Sequence, residues 1–343
     1  MKYIVYCAIH QKSLVIETMF SLFALMKTAS DFSDVRIIIL TDQYFDFSLL
    51  FKRYPIAQKV IIIEYISAKT VIRWTDNFDY RFFIKINAIN YVLQKYKANT
   101  IFLDSDTFMI RDILPLFDKI RNNEFLLFSQ YITLKELSQM ESHRKITDRY
   151  ELHKNHMIIN NGEFTIPFSY YYYNTGVIGI GYHNAHYLEE VMQLCKRIYC
   201  DCKVIIAEEF AFSYIFQKYG QIHTCDYYLF HYVFAKWSSL FLGKSLSLDR
   251  FIYKEFNLFF KKHKIVAQDL PIITYETLPH YIYFVDSYLL KTNALLRDYK
   301  YLGGANGYVD MIVKNEKRLK KFIYEYERNK LRRKMGQSGI DNT

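Results

Sequence analysis

Over its first 130 residues the chain alternates between short β-rich runs and longer helical patterns, and this alternation restricts the fold more than any other feature. Lys2 to Ile9 is rich in β-branched and aromatic residues and reads as a strand. Gln11 to Ala29 follows, with Leu14, Val15, Thr18, Leu22, Leu25 and Met26 on one helical face. Val35 to Leu40 is apolar except for Arg36, the pattern of a strand buried on both sides, and it ends in Thr41-Asp42. A short helix over Phe45 to Tyr54, closed by Pro55, leads to a third strand, Lys59 to Tyr65. Arg73 to Tyr80 reads as a polar loop, and Arg81 to Tyr96 as a strong helix with Phe83, Ile86, Ala88, Ile89, Val92 and Leu93 toward the core. Strands separated by helices build a parallel sheet with helices over it, so the expectation is an α/β fold.

The fourth strand, Thr100 to Leu103, runs straight into Asp104-Ser105-Asp106. In open α/β sheets, ligands bind beyond the carboxyl ends of the strands. Two carboxylates there can hold a hard divalent cation, and the cation can hold a diphosphate. The spacing alone says little, because one Asp-x-Asp is near the chance expectation for a chain with 19 Asp. A loop that caps the next element is the competing reading. Asp112, however, is placed to cap a short helix over Ile113 to Ile120, with Pro115 in its first turn, so Asp104 and Asp106 are not needed for that. Arg81 and Lys85, spaced i, i+4, share one face of the preceding helix. They form either a solvated basic face or a pair turned toward the phosphates of a metal-bound nucleotide.

Phe125 to Ser129 reads as a further strand. Leu134 to Asn161 is polar and the least regular part, a lid or an acceptor-binding insertion, and its His143, His153 and His156 lack a metal-binding helix spacing. Asn174-Thr175-Gly176 is a turn signal before a short buried strand, Val177 to Ile180. Gly176, Gly179 and Gly181 do not form the dinucleotide fingerprint and are read as letting the backbone approach a ligand. Helices are expected over Ala185 to Ile198 and from Ala207 to Lys218. The second opens with Glu208-Glu209, two acids that suit a helix start or that place one carboxylate against a sugar. Strand-like pieces at 272–275 and 281–285 flank His280, and Gly303 to Gly307 forms a junction into a basic helix.

The net charge of +10 is uneven: residues 314–334 hold ten Lys/Arg against three Glu. The rest is close to neutral, which argues against a nucleic-acid-binding body and puts any electrostatic partner at this tail. An anionic membrane surface or a second subunit fits a basic amphipathic segment. Five Cys without zinc-type pairs suggest reduced thiols. No secretory leader or 18-residue apolar run is legible, so the expected location is cytoplasmic, peripheral on the inner face of the membrane. Aromatic residues make up 18%, read either as compositional bias or as sugar-stacking surface.

Four stretches in order, Tyr3 to Ala8, Arg81 to Asp118, Tyr173 to Ile180 and Ala207 to Ala211, resemble glycosyltransferases of the GT-A fold. The nearest resemblance is to the glycogenin and bacterial lipopolysaccharide galactosyltransferase family (family 8), and the stretch from Arg81 to Asp118 is the most specific. The resemblance implies a Rossmann-like mixed sheet over residues 1–300, with a nucleotide-binding half (1–130), an acceptor half (131–300), and a junction and basic tail over 301–343. It implies transfer of a hexose from a nucleotide-sugar, most often a UDP-sugar, with retention, to a glycan, lipid-linked or polysaccharide acceptor. Asp104 and Asp106 would bind Mn²⁺ or Mg²⁺, with Ser105 between them at the donor. Arg81 and Lys85 would lie near the donor phosphates, Ala8, Ile9 and Asp42 near the base, and Asn174 near the sugar or acceptor. A late histidine completes the metal site in that family; His280 is the choice by order, with His231 competing. The family carries Asp-Gln where this chain has Glu208-Glu209, so either acid is a candidate for the reactive face of the sugar. Two other readings are a sugar-phosphate nucleotidyltransferase and an inactive glycan-binding or scaffold protein. Cys7-Ala8-Ile9-His10 lacks the phosphate-loop glycines of the first, and the intact Asp-Ser-Asp speaks against the second.

Overall fold

Seven strands form the central sheet of the computed structural model, which describes residues 1–231 apart from 46, 110, 139–145, 147–148, 154–155 and 160–163. The chain opens with β1 (Lys2–Ala8), α1 (Lys12–Thr28) and β2 (Val35–Thr41). Then come α2 (Ser48–Arg53), α3 (Ala57–Val60), β3 (Ile61–Tyr65), α4 (Ala68–Thr75), α5 (Phe82–Tyr96) and β4 (Thr100–Leu103). β1 pairs in parallel with both β2 and β4, and β2 with β3. A short strand, β5 (Thr107–Met109), follows the Asp-Ser-Asp turn, and β6 (Glu124–Thr133) leads into α6 (Leu134–Ser138). A small antiparallel sheet, β7 (Glu151–His153), β8 (His156–Ile159) and β9 (Phe164–Pro167), precedes the long β10 (Tyr171–Ile180). The described part ends with α7 (Tyr187–Cys202), α8 (Ala207–Tyr219), β11 (Gln221–Thr224) and β12 (Leu229–His231). The main sheet runs β11-β6-β10-β4-β1-β2-β3, with β10 antiparallel to its neighbours, so the sheet is mixed as expected.

Strand alternation divides the core in two. Ile4, Tyr6, Ile37, Ile39, Ile101 and Leu103 face one side with Leu22 and Leu25 of α1. Val5, Ile38, Leu40, Phe102 and Ile178 face the other with α5, α7 and α8, including Phe83, Ile89, Leu194 and Phe212. Both faces of the central strands are therefore covered, which explains their nearly unbroken apolar runs. The expected core residues of α5 are all buried. Among the described residues no helix is long and apolar enough to cross a membrane.

Several local expectations are corrected. Arg73 to Tyr80 is not all loop: α4 runs through Thr75, capped by Ser67, whose Oγ accepts the Thr70 N–H. Val71 and Trp74 bury its inner face, a pattern too short to stand out in a polar stretch. Lys59 and Val60 end α3 rather than begin β3. Asn174-Thr175-Gly176 is no turn; it lies inside β10, where the pairing with β6 shifts register between Asn174 and Ile178. Turn-type residues here mark a bulge, which re-aims side chains without reversing the chain. The 3₁₀ helix Leu114–Lys119 does follow Asp112, whose Oδ1 accepts the Leu114 N–H at 2.9 Å. Part of 134–161 forms α6 and the small sheet; the pieces at 272–285, the glycine junction and the basic tail lie outside the described residues.

Candidate active site

The order of the sheet selects the place. From β1 the chain moves to β2 and β3 on one side, then returns to place β4 on the other. Ligand crevices in α/β sheets open at such reversals, beyond the carboxyl ends of the strands. Here those ends are Ala8 of β1 and Leu103 of β4, and Asp104 is the next residue. Three other segments converge on it. β10 runs alongside β4, with Val177 opposite Leu103, and the Asp104 N–H donates to the Gly176 carbonyl at 2.9 Å. The bulge of β10 thereby brings Asn174 and Thr175 to the acids. β12 pairs antiparallel with β5, with His231 opposite Thr107, so His231 arrives beside Asp106. The first turn of α8 supplies Glu208 and Glu209.

Asp104, Asp106 and His231 offer ligand atoms that all lie within 4.8 Å of one another. His231 Nε2 is 3.1 Å from Asp106 Oδ1 and 3.8 Å from Asp104 Oδ2. His231 is 2% exposed, and both aspartates are partly open. A Cβ on Gly176 would stand 2.2 Å from His231 Nδ1, so only glycine leaves room for the imidazole. This corrects the reading of the three glycines. Gly176 admits a protein side chain rather than a ligand, and Gly179 and Gly181 pack against Leu126 and Asn99 in the same way.

A polar network lies behind these ligands. Lys85 Nζ meets Asp104 Oδ2 at 2.9 Å, Glu208 Oε1 at 3.1 Å and the Thr175 carbonyl at 3.1 Å. Glu208 Oε2 accepts from Thr175 Oγ1 at 3.1 Å, and its backbone N–H donates to Tyr80 Oη at 3.1 Å. Glu209 takes a different direction. Its carboxylate accepts from Asn174 Nδ2 at 2.8 Å and from the Tyr172 hydroxyl. Ser105 Oγ donates to Glu17 of α1 at 3.0 Å. Thr107 Oγ1 donates to the Asp104 carbonyl at 2.7 Å and closes the turn.

The electrostatics favour a cation. Four carboxylates, Asp104, Asp106, Glu208 and Glu209, surround Lys85 and His231. Burial pushes Glu208 up to about 7, with Lys85 opposing the rise and Glu209 and Asp104 adding to it. Burial also raises Glu209 and Asp104; Tyr172 opposes the first and Lys85 the second. Burial lowers His231, but Asp106 and Asp104 outweigh it and the net direction is upward. Burial is the main cause of the carboxylate shifts, and the upward shift of His231 reflects the aspartates beside it. Two carboxylates and an imidazole form a donor set suited to a divalent ion such as Mn²⁺ or Mg²⁺, and these residues fit one.

The structure brings together Lys85, Asp104, Asp106, Asn174, Glu208 and Glu209 from the expected residues. Arg81 does not join the buried group; it is exposed, with its guanidinium 5.4 Å from the Phe82 ring. The solvated-face reading thus holds for Arg81 and fails for Lys85, which is 6% exposed. Ala8 and Ile9 are buried at the end of β1, and the Ala8 carbonyl accepts from Thr41 Oγ1. Asp42 accepts the His10 N–H at 2.9 Å. His280 lies outside the described residues, and its competitor His231 is the histidine found at the two aspartates. Reasoning from sequence passed over Glu17, Tyr172 and His10. None of the three leaves a signal in the sequence; in the structure His10, two residues beyond β1, stands at φ 71. Such a conformation is uncommon and often marks a functional turn.

No family model matches the sequence, and no curated protein does. Among solved structures the chain is similar to the galactosyltransferase LgtC in complex with donor and acceptor sugar analogs, at 12% identity and a TM-score of 0.42 over 64% of this chain and 72% of that one. It is similar to the bifunctional glycosyltransferase WbbM, at 12% identity and a TM-score of 0.44 over 65% of this chain and 38% of that one. It is also similar to mouse xyloside xylosyltransferase 1, at 11% identity and a TM-score of 0.39 over 66% and 85%. Likenesses this distant assign no role to any residue here.

Proposed function

We propose that the chain is a metal-dependent glycosyltransferase of the GT-A fold that moves a hexose from a nucleotide-sugar, a UDP-sugar first among them, to a glycan or lipid-linked acceptor. One observation carries the reading: Asp104, Asp106 and His231 converge at the point where the strand order reverses, with carboxylate charge in excess. A catalytic site built for diphosphate departure needs a cation-holding carboxylate pair at a strand end and little else from the protein. Asp104, Asp106 and His231 would hold Mn²⁺ or Mg²⁺, which neutralises the charge that develops on a leaving diphosphate. Lys85 holds Asp104 in place. Ala8, Ile9 and Asp42, at the carboxyl ends of β1 and β2, would lie near the base.

The two adjacent glutamates differ in what they can do. Glu208 is 1% exposed and is spent on Lys85 and Thr175. Glu209 is only partly buried and is oriented by Asn174 and Tyr172. Glu209 is therefore the acid for the reactive face of the sugar, and a carboxylate there fits a retaining transfer. Peripheral attachment through residues 314–334 rests on the sequence of that tail alone.

Hydrolysis of UDP-sugars, followed with and without Mn²⁺, tests the reading. Activity is expected to need the metal and to vanish in Asp104→Ala, Asp106→Ala and His231→Ala. Full turnover in these variants, or in EDTA, would defeat it.

A further inference from the structure

We infer that Asn174 is a positioning residue that fixes the tautomer of His231 and ties the metal ligands to Glu209. The inference rests on the proposed reading of the site but concerns a different residue and a different property. The hydrogen bonds leave the Asn174 amide no freedom of orientation. The Gly176 backbone N–H, which can only donate, reaches Asn174 Oδ1 at 2.9 Å. At the other end, Nδ2 reaches Glu209 Oε1 at 2.8 Å, where a carboxylate oxygen accepts. Flipping the amide would set donor against donor and acceptor against acceptor.

With Oδ1 so assigned, His231 Nδ1, 2.8 Å away, must be the donor. In neutral imidazole one nitrogen carries the proton and the other a lone pair. With a cation at the site, the lone pair is therefore on Nε2, the atom that faces Asp106 and Asp104. A bare lone pair facing two carboxylates is repelled, so that atom calls for a second proton or a cation. Partners of this kind behind a metal-ligating histidine fix its ring and typically alter metal affinity 10–100-fold when removed. Gly176 and Asn174 act together. The glycine makes space for the ring, and its N–H locks the amide that locks the imidazole.

Three proteins test this: wild type, Asn174→Ala and Asn174→Asp, each checked for folding by circular dichroism and Tm. The first measurement is ¹⁵N NMR of His231 in protein saturated with diamagnetic Mg²⁺, the kind of cation that Nε2 calls for. Wild type is expected to show the Nδ1–H tautomer alone, and Asn174→Ala a mixture. Asn174→Asp still accepts from Nδ1–H and is expected to retain the wild-type tautomer, while its second oxygen meets Glu209 Oε1 as acceptor against acceptor, so the two carboxyls must share a proton or separate. The second measurement is Mn²⁺ affinity by calorimetry, expected to fall at least tenfold in Asn174→Ala and to recover in Asn174→Asp. An Nε2–H tautomer in wild type overturns the inference whatever the metal does. So does an Asn174→Ala affinity within about twofold of wild type while Asp104→Ala abolishes binding, a result that leaves the proposed function standing. If wild type binds no divalent cation, the proposed function fails, and ¹⁵N NMR of the metal-free protein decides the inference: a proton on Nδ1 supports it, and a bare Nδ1 overturns it.

Discussion

Glu208→Gln gives a prediction whose sign and size both follow from burial. Glu208 is 1% exposed, and its carboxyl sits near 7 in the folded protein against an ordinary 4.5. Desolvation is the main cause, and the single cation Lys85 is shared with Asp104. Above the ordinary value the unfolded chain gives up this proton while the folded chain keeps it. Stability therefore falls as pH rises, until the folded carboxyl also ionises near 7, and is flat beyond. A rise of that size corresponds to about 3 kcal/mol in full, most of it lost between about pH 5 and about pH 8. Gln at 208 keeps an oxygen for Lys85 and an amide for Thr175 Oγ1, and it does not ionise. Urea denaturation in EDTA, followed by far-UV circular dichroism, compares the two proteins at both pH values. The difference between them should move in favour of Glu208→Gln by about 2–3 kcal/mol on going to the higher pH. A pH-independent difference would show that Glu208 ionises normally in the fold, and the account of the buried charge cluster would fall with it.

The remaining predictions use the same network and one cap. Lys85→Met leaves Asp104 and Glu208 without their shared cation and should destabilise the metal-free protein at neutral pH by about 3–5 kcal/mol in urea denaturation; a loss below about 1 kcal/mol refutes the pairing. Gly176→Ala places a Cβ 2.2 Å from His231 Nδ1, so the ring must move, and Mn²⁺ affinity by calorimetry should fall at least about tenfold with the fold retained. Asp112→Ala removes the acceptor for Leu114 N–H and for Ser30, and should lower stability by about 1 kcal/mol without changing Mn²⁺ affinity.

The strands β1 to β4 were legible because covered strands and amphipathic helices each write a period into the sequence, and α4 was lost because it is too short to write one. Asp104 and Asp106 were legible because position at a strand end supplied what spacing could not. His231 was legible only as a competitor to His280, since a three-residue strand has no period and its register partner, Thr107 of β5, lies 124 residues earlier. The bulge at Asn174 to Gly176 failed for a related reason. Residues that turn a chain also kink a strand, and only the pairing with β6 tells which. Lys85 and Arg81 show the limit of helical spacing: i and i+4 share a face, but the first turn of α5 leaves Arg81 in solvent while Lys85 lies one turn deeper under β4.

The same geometry separates the two glutamates. Consecutive helical residues point about 100° apart, so neighbours in sequence cannot face the same partner. At the start of α8 this sends Glu208 inward to Lys85 and Glu209 toward β10 and Asn174. The first arm, Glu208–Lys85–Asp104, fixes one metal-facing carboxylate. The second, Tyr172–Glu209–Asn174–His231, fixes the imidazole. Both arms end on the same ligand cluster, and both begin on adjacent residues of one helix turn. A shift of α8 against β10 would therefore disturb Asp104 and His231 together. Substitutions that loosen this packing, such as Ser213→Ala, which removes the hydroxyl that accepts the Tyr173 N–H and donates to the Glu209 carbonyl, should weaken Mn²⁺ binding without touching a ligand. Calorimetry on Ser213→Ala that returned wild-type affinity would show that the two arms are held independently of the helix.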